Sequence, residues 1–193
     1  MGHADVKPYV SLADYLELEE KSDVKHEWFD GAVYAMSRGT PEHARLCARV
    51  AWALRSALGR ECEVYASELM LYVAEAKLST YADATVVCGP LETYSVKRAG
   101  KSLGEGVTNP AVIVEVLSTS TERYDREEKF GYYRRLSSLD EYVLLSQDEA
   151  LIEVFRRPDE GQGRWPCESG RRGETVTIHG APIEVTSVYG ADS

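Results

Sequence analysis

One acidic residue lies inside the most apolar stretch of the chain. The run from Ala111 to Leu117 reads AVIVEVL, and Glu115 is its polar member. This density of β-branched residues, ending at Ser118, predicts a buried β-strand on which Glu115 shares a face with Ile113. An unpaired carboxylate there would cost several kcal/mol, so Glu115 requires a cation or a hydrogen-bond partner. A functional site explains such a residue best.

A second acid, Asp83, lies at the head of another apolar segment, residues 81–89. If the two strands are neighbours, Asp83 and Glu115 form an oxygen-lined pocket suited to a hard divalent cation such as Mg²⁺ or Mn²⁺. The ion would also relieve the repulsion between the carboxylates. Two plainer readings stay open: Asp83 is a strand-end or turn acid, and Glu115 forms a buried ion pair with an arginine or with Lys129.

The segment after the Glu115 strand is predicted to be helical. Thr119 to Glu122 has the form of a capping box, which predicts a helix over about 120–135. Asp125 and Lys129 then share a face, which Tyr132 or Tyr133 extends by a turn, so the lysine could project over the strand ends. The alternative is an Asp125–Lys129 pair on the surface, with the tyrosines packed in the core.

The other patterns predict an α/β (α+β) protein. Ser11 is a good N-cap for a first helix, Asp30-Gly31 marks a β-hairpin, and a second helix should run from Pro41 to about Leu58. Further strands are expected over 63–73, 140–146, 151–155 and 174–189, and loops over 90–109 and 156–173.

Composition restricts the setting of the protein. The net charge of −10 argues against general coating of nucleic acid unless basic residues cluster or metal ions intervene. The scattered cysteines, Cys47, Cys62, Cys88 and Cys167, match neither a zinc motif nor a disulfide framework, and predict reduced thiols. Without a long apolar run or a signal peptide, we expect no membrane association and a cytoplasmic location.

Several of these segments together resemble one known group. They are Tyr81–Asp83, Asn109–Ser118, Ser120–Thr121, Asp125, Lys129 and Tyr133, with Lys25–Gly31, His43 and Glu141–Val143 in support. The combination, spread over about Val10 to Arg157, resembles the Uma-two (Uma2) family of the PD-(D/E)XK nuclease superfamily.

The resemblance implies a restriction-endonuclease-like core, a central mixed β-sheet flanked by helices, preceded by an N-terminal helix and a β-hairpin. We expect one domain over 1–193, with the nuclease-like core at about 25–157 and a C-terminal β extension at about 174–190. The implied activity is hydrolysis of phosphodiester bonds in DNA by an endonuclease dependent on Mg²⁺ or Mn²⁺. Cutting both strands of a duplex would favour a homodimer.

The chain departs from the pattern at two positions. Ala82 replaces a proline, and Leu117 stands where the superfamily lysine would be, two residues after Glu115. Lys129 matches the helical lysine of the family and is its substitute. The resemblance therefore assigns the metal to Asp83 and Glu115, and assigns Lys129 to positioning water or offsetting phosphate charge.

The remaining candidates have supporting roles. Glu27 resembles an additional metal or water ligand, and His43 contacts phosphate or caps a local network. Asp125 and Tyr133 are possible supporting residues, and each of the four has a purely structural alternative. Because of Leu117 and the charge of −10, a catalytically inactive nuclease fold that binds nucleic acid or protein is the second hypothesis. A structural or oligomeric module without a site is the third.

Overall fold

The computed structural model describes residues 8–159 and 163–191. Its first helix, α1, spans Leu12–Glu19 and begins at Ser11, whose Oγ accepts the Asp14 N–H at 3.2 Å. Strands β1, His26–Phe29, and β2, Ala32–Ala35, then form the predicted antiparallel hairpin. Both turn residues have a positive φ, +41° at Asp30 and +89° at Gly31, as a two-residue turn of this hand requires.

The second helix, α2, spans Pro41–Ala57. Thr40 caps it by accepting the His43 N–H at 3.1 Å, and Pro41 occupies the first turn, where a missing N–H is harmless. Leu46, Val50 and Leu54 are buried along one face. In the described part of the chain, none of the helices has the length and apolar character that a transmembrane span requires.

The strands after the first hairpin are β3 Cys62–Ala66, β4 Met70–Val73, β5 Leu78–Tyr81, β6 Ala84–Cys88, β7 Thr93–Arg98, β8 Lys101–Val107, β9 Val112–Val116, β10 Glu141–Leu145, β11 Leu151–Arg156, β12 Cys167–Arg171, β13 Thr175–Ile178 and β14 Ala181–Glu184. Among the described residues, twelve strands form two mixed sheets, and β13 and β14 pair with each other as a separate hairpin. The first sheet has the order β2-β1-β5-β4-β8-β7 and the second β12-β11-β10-β9-β6-β3.

The second sheet carries the Glu115 strand near its centre. β9 runs parallel to β10 and antiparallel to β6, and every residue of β9 and β10 is buried. Because side chains alternate along a strand, Val112, Val114 and Val116 pack with α2, whereas Ile113 packs with Tyr133 on the opposite side of the sheet. The mixed, helix-flanked sheet that the sequence predicted is confirmed.

The helix after β9 is continuous but irregular. It consists of α3, Glu122–Tyr124, a π-helical turn, Asp125–Lys129, and α4, Phe130–Tyr133, and is called helix 122–133 below. The expected capping box of Thr119 and Glu122 is not formed, because the Glu122 carboxylate accepts the Arg126 Nε–H at 2.8 Å and does not reach back to Thr119. Instead, Ser118 Oγ accepts the Thr121 N–H at 3.2 Å and the Ser118 carbonyl accepts the Glu122 N–H at 2.8 Å.

Two predicted loops contain strands. β7 and β8 pair as a hairpin within 90–109, and β12 pairs with β11 within 156–173. The side chains of β7 are exposed on both faces except Val96, and those of β12 are mostly exposed. Strands that bury little lack the alternation of apolar and polar residues by which sequence patterns reveal strands. The β extension expected over about 174–190 is wrong in its last part: its strands end at Glu184, and a final short helix, α5, spans Val185–Tyr189.

The cysteine prediction was wrong for two of the four residues. Cys62 and Cys88 form a disulfide, and Cys47 and Cys167 are free. The two bonded residues are directly opposite each other in the antiparallel pair β3 and β6, with Cα atoms 4.0 Å apart. Their proximity depends on strand register, which their separation along the sequence does not show.

Candidate active site

Asp83 sits at the junction where β6 begins beside the end of β9. Its backbone N–H donates to the Val114 carbonyl at 3.1 Å, and its Oδ2 accepts the Val116 N–H at 2.7 Å. The carboxylate thus extends the antiparallel pairing by one more hydrogen bond, which fixes it next to the strand that carries Glu115. The two acids predicted to be neighbours are brought together by the register Ala84 to Val114.

Glu115 is 4% exposed, and its described partners all contact one oxygen. Oε1 accepts the Tyr133 hydroxyl at 3.0 Å and lies 2.8 Å from Lys129 Nζ, whereas Oε2 has no hydrogen-bond partner among the described residues. Burial raises the pKa of Glu115 to about 8, with Asp83 adding to the rise and Lys129 opposing it. A bound cation would hold Glu115 ionised.

Lys129 reaches the site from helix 122–133. Its side chain is buried, with Nζ 3.8 Å from Asp125 Oδ1, and it donates to the Tyr81 carbonyl at 3.4 Å. Burial alone would lower the pKa of Lys129, but the charges of Glu115 and Asp125 outweigh it and raise the pKa. The surface-pair alternative for Asp125 and Lys129 is wrong because both side chains are buried. The ion pair of Lys129 with Glu115, left open as an alternative, is present.

The π-helical turn contains both Asp125 and Lys129. π turns are rare and occur frequently at functional sites. Here Lys129 and Tyr133 are four residues apart and both contact Glu115 Oε1. One face of the helix therefore binds a single carboxylate oxygen. Leu117, which occupies the position of the superfamily lysine, is buried in the core. It packs on the side of the sheet that Tyr133 covers.

Glu27 is a third buried acid beside the site, on β1. Its Oε2 accepts the Thr80 hydroxyl at 2.7 Å, and its Oε1 accepts the Tyr124 hydroxyl. Both oxygens are therefore engaged by neutral donors, which hold the carboxylate in place. Its negative charge contributes to the raised pKa of Lys129.

His43 projects from the first turn of α2 toward Asp83. Its Nε2 lies 3.2 Å from Asp83 Oδ2, and its Nδ1 lies 3.4 Å from Cys47 Sγ. The hydrogen bond to Asp83 raises the pKa of His43, against the opposing effect of burial. His43 is thus a direct neighbour of the carboxylate pair.

Two cavities meet at the carboxylates. The first, of about 340 Å³, is lined by Glu27, Lys129 and the hydroxyl-rich segment 118–121 that precedes helix 122–133. The second, of about 460 Å³, lies toward Lys25 and Cys47. Both are lined by Asp83, Glu115, His43 and the segment 36–39. A ligand crossing from one to the other would pass over both carboxylates.

Several site residues were not singled out by the sequence. Thr80 and Tyr124 fix Glu27, Cys47 contacts His43, and Arg38 lines both cavities. The four-residue spacing of His43 and Cys47 on a predicted helix was a usable signal for one of them. The others, Thr80, Tyr124 and Arg38, come from a strand, a helix and a loop and meet only in the folded chain.

The donor set fits a hard divalent ion. Mg²⁺ is commonly held by one or two carboxylates, with water and substrate phosphate supplying the other oxygens. Asp83 and Glu115 provide two carboxylates at the edge of two cavities, and Glu115 Oε2 is free of described partners. Within residues 8–159 and 163–191, no third potential ligand joins Glu115 in a group whose ligand atoms all lie within 4.8 Å of one another. The fit is therefore to a two-carboxylate site.

Comparison with known proteins agrees with the resemblance seen in the sequence. A crystal structure described as "a putative nuclease belonging to DUF820" from Anabaena variabilis aligns with a TM-score of 0.66 at 14% identity, over 87% of this chain and 91% of that one. At this identity the likeness shows the fold.

Two uncharacterized proteins of Synechocystis sp. are closer in sequence. The protein slr1290 is 33% identical over 164 residues, which cover 83% of this chain and 82% of the relative. The protein sll1609 is 32% identical over 155 residues, covering 79% and 84%. The sequence model of the Uma2 family, described as "Putative restriction endonuclease", matches residues 12–186. The chain therefore belongs to the Uma2 family.

Proposed function

We propose that the protein is a divalent-metal-dependent endonuclease that hydrolyses phosphodiester bonds in DNA. The observation that carries the proposal is the position of Lys129, whose buried ammonium lies 2.8 Å from Glu115 Oε1. Position 117 has a leucine instead of the superfamily lysine. In this proposal Lys129, from helix 122–133, takes the role of that lysine on the face of the sheet where Leu117 packs. Membership of a family whose description reads "Putative restriction endonuclease" supports the same activity.

In this proposal Asp83 and Glu115 hold Mg²⁺ or Mn²⁺. The ion supplies Lewis acidity toward the scissile phosphate and lowers the pKa of a bound water. Asp83 is set in place by the Val116 N–H, and Glu115 by the Tyr133 hydroxyl. Both supports act on one oxygen of each carboxylate and orient the group without blocking the other oxygen.

Lys129 contributes a fixed positive charge. Its position among Glu115, Asp125 and the Tyr81 carbonyl holds the ammonium where it can offset charge that develops on the phosphate. Glu27 and Asp125 keep Lys129 protonated, since their charges raise its pKa. His43 contacts the same Asp83 oxygen, Oδ2, that accepts the Val116 N–H. Cleavage of both strands of a duplex would require two such sites, which we assign to a homodimer.

The ion pair also favours a second candidate function. Because Lys129 occupies Glu115 Oε1, the site is partly neutralised without a metal. In a catalytically inactive protein that binds nucleic acid or a protein partner, the ion pair between Lys129 and Glu115 would stay formed at all times. Binding of DNA without cleavage, in the presence of Mn²⁺, would identify this second function.

The test is nicking of supercoiled plasmid and cleavage of single-stranded DNA and RNA with Mg²⁺ or Mn²⁺. We expect cleavage of DNA that chelator abolishes, and a loss of about 100-fold or more in Asp83→Asn, the scale of removing one preorganised electrostatic group. Asparagine keeps the shape of Asp83 and an oxygen for the Val116 N–H. Equal cleavage by wild type and Asp83→Asn would mean a contaminating nuclease or a different site, and cleavage of RNA alone would reassign the substrate.

A further inference from the structure

A second group of potential metal ligands lies beside the carboxylate pair. It consists of His43, Cys47 and Asp83, and their ligand atoms all lie within 4.8 Å of one another. The group differs chemically from the pair of Asp83 and Glu115, since it offers one imidazole nitrogen, one sulfur and one carboxylate oxygen.

The backbone explains why these side chains converge. His43 and Cys47 are four residues apart on α2, so they project from the same face of the helix. Thr40 fixes the beginning of that helix by accepting the His43 N–H, and Asp83 is fixed by the Val116 N–H. Two independently anchored elements therefore present the three ligands.

The ligand types select a class of metal. Thiolate and imidazole ligands favour Zn²⁺ and related transition metals, whereas an all-oxygen set favours Mg²⁺. Three protein ligands with a fourth position open to water are typical of exchangeable zinc sites. All three side chains are part-buried and line the same cavity of about 460 Å³, so a metal and a fourth ligand can reach them.

We propose that His43, Cys47 and Asp83 form a binding site for a thiophilic divalent cation of the Zn²⁺ type. Occupation converts the Cys47 thiol to a metal-bound thiolate and releases its proton to solvent. Because Asp83 belongs to both ligand sets, binding of Zn²⁺ removes Asp83 from the oxygen site. The binding site stands without the nuclease proposal, and inhibition of cleavage by Zn²⁺ rests on it.

Cys47 is a part-buried free thiol whose sulfur lies against His43. Cys47 Sγ contacts His43 Nδ1 at 3.4 Å, and burial together with the charge of Asp83 raises the pKa of Cys47. A thiol of this kind is a poor nucleophile, because the thiolate is the reactive form. Coordination to a cation is the chemistry that makes the sulfur anionic.

Cobalt gives a direct readout that does not depend on catalysis. The full chain, freed of metal and kept without reductant so that Cys62 and Cys88 stay bonded, is titrated with Co²⁺. We expect a thiolate-to-cobalt charge-transfer band that saturates at one equivalent and disappears when Zn²⁺ is added. The band should persist in Cys167→Ser, which removes the other free cysteine, and be lost in Cys47→Ser.

Further variants separate this site from the proposed nuclease. Glu115→Gln should keep the cobalt band while losing Mg²⁺-dependent cleavage, and His43→Gln should weaken Zn²⁺ binding by about tenfold or more. Circular dichroism and melting temperature confirm that each variant is folded. Absence of the band in wild type, or a band of equal strength in Cys47→Ser, would overturn the site. A normal band in a protein that cuts no DNA would leave the site standing and reject the nuclease.

Discussion

Two buried glutamates lie on the adjacent parallel strands β9 and β10, and they have opposite surroundings. Glu141, at the beginning of β10, is paired at both oxygens: Arg156 Nε is 2.9 Å from Oε1, and the His179 N–H donates to Oε2 at 2.7 Å. Glu115, toward the end of β9, has its described partners on Oε1 alone and lies beside Asp83 and two cavities. Burial is shared by both residues, so burial does not distinguish a site from a structural ion pair. The unfilled oxygen and the neighbouring acids make that distinction.

The strongest test of the difference between Glu115 and Glu141 is to neutralise each glutamate in turn. Glu115→Gln should lower Mg²⁺-dependent cleavage by about 100-fold or more, because it removes a proposed metal ligand. Glu141→Gln keeps an oxygen for the His179 N–H and should cleave at nearly the wild-type rate. Plasmid nicking at matched concentrations of folded protein measures both, and equal losses in the two variants would remove the distinction.

Lys129→Met should have the next largest effect. Methionine keeps most of the buried stem of Lys129 but removes the charge that lies 2.8 Å from Glu115, so we expect cleavage to fall by about 10–100-fold. Lys129→Arg should not restore the rate, because the planar guanidinium does not fit a position shaped for a compact ammonium. Single-turnover kinetics separate this loss from weaker DNA binding, and full activity in Lys129→Met would show that the ion pair is only structural.

Removing Arg156, the cation that pairs with Glu141, should lower the stability of the protein and leave its cleavage rate unchanged. Arg156→Met leaves Glu141 with one hydrogen-bond donor in a buried position, at a cost of about 2 kcal/mol in the free energy of unfolding. The estimate is modest because the Arg156 side chain is 32% exposed and partly screened by solvent. Urea denaturation followed by circular dichroism gives the value. A change in cleavage rate larger than the change in stability would contradict a structural role.

The last expected effect is a pH dependence of stability that comes from Glu115. Its pKa is about 8 in the folded protein against the ordinary 4.5, so the folded state keeps a proton that the unfolded chain releases between these values. The contribution of Glu115 to stability is therefore fully present below about pH 4.5 and is lost as the pH rises to about 8. Melting temperatures of metal-free protein across this range should fall less steeply in Glu115→Gln than in wild type. Identical slopes would refute the raised pKa.

The contrast between the two glutamates also shows what the sequence could reveal. Glu115 was visible as an anomaly in an apolar strand, and Lys129 as its partner through helical spacing and family resemblance. The mixed sheet was implied by the family resemblance. Three other features depend on strand register and on the π-helical turn. They are the contact of both Lys129 and Tyr133 with a single Glu115 oxygen, the hydrogen bonds of Thr80 and Tyr124 to Glu27, and the disulfide between Cys62 and Cys88. Such features arise between distant segments, and local periodicity does not encode them. The boundaries of a single domain stay a prediction.

The bond from the Val116 N–H to the Asp83 carboxylate has a consequence for the history of the sequence. A carboxylate held by a main-chain donor depends, for that hydrogen bond, on the alignment of two strands. Neighbouring residues can be replaced one after another, and Asp83 keeps its place as long as the strands stay aligned. The site therefore leaves the surrounding sequence wide freedom to drift.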